Sequence, residues 1–596
     1  MNNLVDSVDV TNCIECLDSC LSGVECDPDL HRMRDISEVI NLSDYSDCSR
    51  HRRVEWPNSP LDRGGQYRFA SVSCAEKKCS SVGVQMLAEG GSAVDAAIAV
   101  SLAIGVERSL SSGIGGGGFM TYYSRELEES YILDYRETAP KSAYSTMYED
   151  SNLNTKIGGG SIAVPGEVSG LWEAHQRFGK LKWSRLFEPA IEMAEKGIKL
   201  NGYLSRQLAK YYPEFDSTLQ AIFTNTETGE IKKEGDTVVF TKLAETYRRI
   251  AAEGPETFYN GSLRDDIVAD LEELDGQIVT AEDLAEYRTE LRAPVTTTLK
   301  NGGYTVISPP PPSAGYHFTA ESISSKREHI ESTATTYHRV IEAMKFSYST
   351  RMDLGDPKFS DVSEIVENLT DPEYGAELRS RICDDTTHSI EYYGATTDSR
   401  KTTGTSQISV LAGNGDAVSL TTSINACWGS KRMGKRTGII FNNHMDDFSM
   451  PGTPSWTDDA WVAPSNAANW IEPGKRPLSA MCPSIVTDSN EDVILVTGGS
   501  GGAQITTATA LTIINYLWFG HNLLDSVSKP RLHNQLLPNT IFYEKGFPEE
   551  YLEELEKKKH KLTPISFPPV TESVCSHNGA IFGVGDFRRL GGADGF

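Results

Sequence analysis

The chain opens on about 64 residues that are polar, acidic and without a sustained period, which predicts a disordered extension. Regular patterning begins near Tyr67. Two short helices are expected next, split by Gly90 and Gly91, and Ser92-Ala93-Val94-Asp95 reads as a capping box opening an apolar helix over 96–105. The glycine-rich run 111–118 follows, then strands over 119–124 and 131–136. Residues 165–300 predict short helices alternating with charged loops. A strand over 304–308 leads into four prolines, 309–312, which predict an extended polyproline path. A helix is expected over 338–353, with Val340, Ile341, Met344 and Tyr348 on one face. Residues 384–404 lose apolar periodicity and predict a linker. Beyond it the period changes to two. Strands over 405–411 and 417–425 flank Asn414-Gly415, a hairpin signal. A strand over 493–497 and a helix over 505–519 precede the last β segments.

With 596 residues, 39% apolar and 23% charged, the chain has a globular composition. A net charge of −27 argues against nucleic acid and anionic membranes as partners. No run of 18 apolar residues occurs, so no transmembrane helix is readable, and the start lacks the basic and apolar blocks of a signal peptide. These features point to an intracellular protein, unless the true start lies upstream; sequons at Asn41, Asn260 and Asn368 keep a secretory route open. Eleven cysteines, odd in number and loosely spaced, argue against a closed disulfide framework. Cys13, Cys16, Cys20 and Cys26 have zinc-like spacing at their start, but no second paired motif follows.

Two features carry chemistry. Thr405 stands at the mouth of a strand that follows a polar linker, and Gly498-Gly499-Ser500-Gly501-Gly502 ends one strand and opens a helix. A hydroxyl and a set of close backbone amides suggest a nucleophile and an oxyanion hole. Thr405 has no nearby base in sequence. Cutting the bond between Gly404 and Thr405 would free its own amine to take the proton. Residues 113–118 match GxGxxG, but a helix precedes and a strand follows, the reverse of a dinucleotide loop. Residues 498–502 also match GxSxG, which leaves Ser500 as an alternative nucleophile with Asp525 and His533 as partners.

The chain resembles the γ-glutamyltranspeptidase (glutathione hydrolase) family. The matching blocks include GGSAVDAA at 90–97, SGIGGGGFM at 112–120, RETAP at 136–140 and VPGEVSGL at 164–171. They continue with PPPPSAG at 309–315, GDPKF at 355–359, FNNHMDDFS at 441–449, PGKRPLSAMCP at 473–483 and GGSGGAQI at 498–505. The resemblance implies an α/β (α+β) N-terminal nucleophile hydrolase, a four-layer αββα sandwich. It implies a precursor that cuts itself into a large subunit, 65–404, and a small subunit, 405–596, which stay together. Thr405 would form an acyl-enzyme with a γ-glutamyl donor such as glutathione or a glutathione S-conjugate, released by water or an amino-acid or peptide acceptor. By the same resemblance Ser423 would hydrogen-bond the nucleophile, and Gly501 and Gly502 would stabilise the oxyanion. Arg136 and Ser479 would hold the donor α-carboxylate, and Asn425 and Asp447 its ammonium. No metal or organic cofactor is called for. The chain departs from the pattern at Ala480, where a second serine is usual, and at His444, where Glu or Gln is usual. The altered pocket suggests a donor with a bulky or unusual partner group, or a catalytically impaired relative acting as a binding protein.

Overall fold

The computed structural model describes residues 64–299, 302–315, 333–395, 404–451 and 465–596. The cysteines of the first fifty residues and the Asn41 sequon lie outside them.

Two seven-stranded antiparallel sheets form the centre. One runs in the order Gly592–Gly595, Ser71–Cys74, Gly404–Leu411, Ala417–Asn425, Gly117–Ser124, Glu129–Tyr135, Glu290–Arg292. The other runs Gly64–Tyr67, Ala580–Val584, Val570–His577, Val493–Ser500, Ser484–Thr487, Tyr304–Ser308, Val295–Leu299. Segments before and after Thr405 therefore interleave in both sheets. Gly404–Leu411 shows how the sandwich is built. Side chains alternate faces along a strand. Ile408 and Val410 join the core under the helices Lys77–Ala88 and Ala93–Glu107. Gln407, Ser409 and Leu411 face the second sheet: Ser409 Oγ donates to Glu572 O at 2.7 Å, and Leu411 packs with Ile485, Val496 and Val574. Other hydroxyls also cross the gap, Thr121 Oγ1 to Pro483 O at 2.7 Å and Ser419 Oγ to Thr497 O at 2.9 Å. The polar half of the alternation is thus buried, and these hydroxyls are paired, as burial requires.

Helices close both outer faces. Ala93–Glu107 is buried along its whole length and starts with the expected capping box, Asp95 N to Ser92 Oγ at 3.1 Å and Ser92 N to Asp95 Oδ2 at 2.9 Å. The second sheet is covered by Gln504–Leu517 and Leu523–Ser528, and Ala334–Arg351 packs beyond through Val340, Ile341 and Met344. The result is αββα, as the resemblance implied.

Three local expectations change. Glu290–Arg292 and Val295–Leu299 are strands, one in each sheet, within a stretch read as helices and loops. The proline run turns instead of extending: Ser313 N bonds back to Pro310 O at 3.0 Å, and Pro312 O accepts from Ser479 N at 2.7 Å. Half of the linker is packed, with Thr387 Oγ1 and Tyr393 OH donating to Glu342 at 2.8 and 2.6 Å and Asp384 paired with Arg339. Residues 396–403 lie outside the described residues.

Candidate active site

Gly404 pairs with Asn425 and Ser406 with Thr422, so the register slips by one residue beside Thr405. Such a bulge re-aims a side chain. Thr405 Oγ1 lies 2.5 Å from the Gly404 carbonyl oxygen and 3.5 Å from Ser423 Oγ. Ser423 Oγ donates to the same carbonyl at 2.6 Å, and accepts from Asn425 N at 2.8 Å. Two hydroxyls thus converge on the carbonyl at the expected cut. Asn425 takes φ 72°, and its Nδ2 donates to Asn443 O at 3.0 Å, which laces the strand end to the loop before His444–Asp447. The glycine run supplies the floor: a Cβ on Gly116 would lie 2.1 Å from Ser423 O, so only glycine lets the chain approach. A helix precedes this run and a strand begins at Gly117, as the sequence predicts.

Arg136 directly follows the neighbouring strand Glu129–Tyr135 and is fully buried. Its Nη2 donates to Asp447 Oδ2 at 2.5 Å, its Nε to Pro477 O at 3.2 Å, and its Nη1 faces Glu137 Oε2 at 3.5 Å. His444 Nδ1 sits 2.8 Å from Glu137 Oε1, out of line for a hydrogen bond, and its Nε2 is 4.0 Å from Asp447 Oδ2. Around this centre Arg136 Nη1, both Glu137 oxygens, Asn443 Nδ2, His444 Nδ1 and Asp447 Oδ1 are buried without a hydrogen-bond partner. So many unpaired polar atoms in one place are costly for folding alone. Burial raises the Asp447 carboxyl, against the pull of Arg136, and pushes Glu137 up to about 8. Burial, and then the Arg136 charge, hold His444 well below its ordinary 6.5, so the imidazole is neutral.

This last shift has a measurable sign. Below 6.5 the unfolded chain protonates His444 and the native chain does not, so stability falls as pH drops. Glu137 opposes it: native protonation between 4.5 and about 8 favours the fold and fades as pH rises. His444→Gln removes the first effect. The loss of unfolding free energy between about pH 7.5 and about pH 5 is expected to shrink by roughly 1–2 kcal/mol, read from denaturant melts at both values.

Ser479 is buried beside this group. Its Oγ accepts from Met481 N at 3.1 Å, while Pro477 and Leu478, just before it, turn carbonyls toward Arg136. Ala480 is half-buried. Gly501 and Gly502 lie between Val493–Ser500 and Gln504–Leu517, with φ 138° and 66°. A Cβ on Gly498 would lie 2.3 Å from Gln407 Oε1, so this strand crosses Gly404–Leu411 and brings its glycine end toward the Thr405 end. Ser500 is not placed as a nucleophile. Its Oγ accepts from Arg589 Nη1 at 2.9 Å, His533 engages Thr507 and Gln535, and Asp525 belongs to the N-terminal cap of Leu523–Ser528. Sequence reasoning missed Glu137 and Asn443. Both stand inside quoted blocks, next to Arg136 and His444, and adjacency was the available signal.

One metal-like cluster occurs among the described residues: His338, Glu342 and His560 bring ligand atoms within 4.8 Å of one another. Lys345 Nζ already answers its charge, at 3.0 Å from Glu342 Oε1 and 3.4 Å from His560 Nδ1. No described helix is long and apolar enough to cross a membrane.

The αββα sandwich, with a hydroxyl residue at the mouth of a central strand, defines an N-terminal nucleophile hydrolase. The solved structure of cephalosporin acylase from Bacillus halodurans superposes with a TM-score of 0.78 at 25% identity, over 91% of this chain and 98% of that one. The family model described as γ-glutamyltranspeptidase matches residues 79–596, and the chain belongs to that family. It is an enzyme, a γ-glutamyl hydrolase or transferase, so the binding-protein alternative is not retained. Among its relatives are Scoloptoxin SSD14 of Scolopendra dehaani, 39% identical over 559 residues (91% of this chain, 95% of the relative), and Glutathione hydrolase 2 of Arabidopsis thaliana, 37% identical over 521 residues (85% and 88%). Glutathione hydrolase proenzyme 1 of Schizosaccharomyces pombe is 36% identical over 535 residues (87% and 83%).

Proposed function

We propose that the protein cuts itself between Gly404 and Thr405 and then transfers the γ-glutamyl group of glutathione-type donors through Thr405. The observation that carries this reading is the group of buried polar atoms around Arg136 that lack hydrogen-bond partners. Arg136 Nη1 and Asn443 Nδ2 are donors suited to a carboxylate; Asp447 Oδ1 is an acceptor suited to an ammonium. Together they match the α-amino and α-carboxylate groups of a glutamyl residue linked through its side chain. Ser479 and Asn425 border the same site. The Thr405 hydroxyl attacks the γ-carbonyl carbon while the freed Thr405 amine takes its proton. Gly501 and Gly502 amides receive the negative charge that develops on the carbonyl oxygen. The C–N bond breaks, the leaving amine takes a proton, and an ester remains on Thr405. Water or an amine acceptor attacks the ester and restores the enzyme. Relatives named as proenzymes support the self-cutting step, and the interleaved sheets would hold the pieces 65–404 and 405–596 together.

The test compares three anilides of glutamate: γ-linked, α-linked, and γ-linked with an acetylated α-amine. Only the first is expected to turn over, with at least about a hundredfold loss for the acetylated donor. Equal turnover of the acetylated donor overturns the reading. Including an S-conjugate of glutathione beside glutathione tests the altered pocket: His444 and Ala480 predict that the conjugate is preferred.

A further inference from the structure

Ser500 sits in the most conspicuous motif of the small-subunit region, yet it is no nucleophile. Its hydroxyl accepts from Arg589 Nη1 at 2.9 Å, and Arg589 Nη2 donates to Pro568 O at 3.0 Å. These two acceptors flank the glycine turn on both sides. Ser500 immediately precedes Gly501, and Pro568 precedes Pro569, whose Cα would lie 2.8 Å from a Cβ on Gly501. The guanidinium itself passes within 3.6 Å of that Cβ position, and stacks over Phe567 at 4.1 Å from the ring centroid. One planar, charged group thus ties the end of Val493–Ser500 to the segment that leads into Val570–His577, and closes over the turn between them.

Arg589 is held from behind. Its carbonyl accepts from Arg108 Nη2, which also donates to Ala75 O at 3.1 Å. Arg108 Nε pairs with Glu76 Oε1 at 2.9 Å, and Asn201 Nδ2 donates to the same Glu76 oxygen at 3.1 Å. The chain of contacts runs from residues before the Gly404 junction to the glycine turn after it.

We propose that Arg589 is a positioning residue for the oxyanion turn: by holding Ser500 and Pro568 it aims the Gly501 and Gly502 amides at the carbonyl that Thr405 attacks. This rests on the Thr405 reading above. A residue acting on amides that bind only the developing charge affects the transition state and spares ground-state binding. Arg589 and Ser500 make no contact with Arg136 or Asp447 in the hydrogen-bond network described, so donor affinity is expected to survive their loss.

The test uses Arg589→Met, Arg589→Lys and Ser500→Ala in the full chain, with rates expressed per mature small subunit. Arg589→Met is expected to lower kcat on a γ-glutamyl anilide roughly 100-fold, with Lys and the serine variant between it and wild type. KM for the donor should stay within about threefold. A boronic acid analogue of the γ-glutamyl group forms a tetrahedral adduct on a nucleophilic hydroxyl; its affinity should fall with kcat, while L-glutamate affinity holds. Arg589→Met with kcat within about threefold of wild type overturns the proposal, as does equal loss of boronate and L-glutamate affinity. Where Arg589→Met does not fold or mature, Ser500→Ala makes the same comparison, and an unchanged kcat there overturns it. Wild-type protein that takes no boronate on Thr405 overturns the Thr405 reading itself, and the proposal with it.

Discussion

Thr405→Ala is expected to leave one uncut polypeptide of 65.4 kDa, and to reduce turnover of γ-glutamyl donors by at least about a thousandfold. The reason lies in the junction. The Thr405 hydroxyl and the Ser423 hydroxyl meet at the Gly404 carbonyl, at 2.5 and 2.6 Å. The Ser423 contact withdraws electron density from that carbonyl, and Asn425 N fixes the direction in which Ser423 points. Attack by Thr405 Oγ1 on the Gly404 carbonyl carbon would move the acyl group from nitrogen to oxygen. Water then releases Gly404 as a carboxylate and Thr405 as a free amine. On the proposed mechanism, alanine removes the attacking atom from both this step and the later transfer. Ser423 is no substitute, because its own amide nitrogen remains in a peptide bond and cannot become a base. Thr405→Ser restores both events at reduced rate, since the hydroxyl returns without the methyl that limits its rotamers. Denaturing electrophoresis and a steady-state assay check the pair. A Thr405→Ala protein that still yields two fragments, or still turns over the donor, removes Thr405 from the centre of the mechanism.

The junction was legible because its strands follow a local rule. The hairpin over Gly404–Leu411 and Ala417–Asn425 has a five-residue connection in which Ala412 N bonds to Asp416 O at 2.9 Å and Gly415 takes φ 86°. The helix Ala93–Glu107 is likewise announced by its own cap. Val295–Leu299 was not legible. Its sequence, VTTTL, offers only Val295 and Leu299 as apolar residues of its inward face around three threonines, too short a signal to read, and it is a strand because Tyr304–Ser308 offers an edge. The proline turn depends on Ser479 and Met481, far along the chain. The same distance hid the polar gap between the sheets, where hydroxyls of Ser409 and Ser419 find carbonyls that no local window contains. The site divides in the same way. Arg136, Asp447 and Ser479 came from family blocks; that the Glu137 carboxylate oxygens and Asn443 Nδ2 lack hydrogen-bond partners there is visible only in the folded packing.

Arg136→Gln carries the second large effect, and its stability cost must be separated from its binding cost. The guanidinium neutralises Asp447 and faces Glu137 in a buried setting. Removing one member of such a group costs about 3–5 kcal/mol of folding free energy, because a charge is left uncompensated. Removing Nη1, the donor proposed above for the substrate carboxylate, is expected to raise donor KM at least about a hundredfold. A companion change tells the two apart. Asp447→Asn in the Arg136→Gln background removes the stranded carboxylate, and should return much of the lost stability. It should not return donor affinity, since the ammonium then loses its acceptor as well. Arg136→Lys keeps the charge but loses the planar group that meets Asp447 through Nη2 and leaves Nη1 for the substrate, so it is expected to fold well and to bind the donor about tenfold more weakly. Thermal melts and KM values on all three variants give the comparison. If the double variant regains donor affinity together with stability, Arg136 and Asp447 are an internal ion pair of the fold, and the glutamyl head group is held elsewhere.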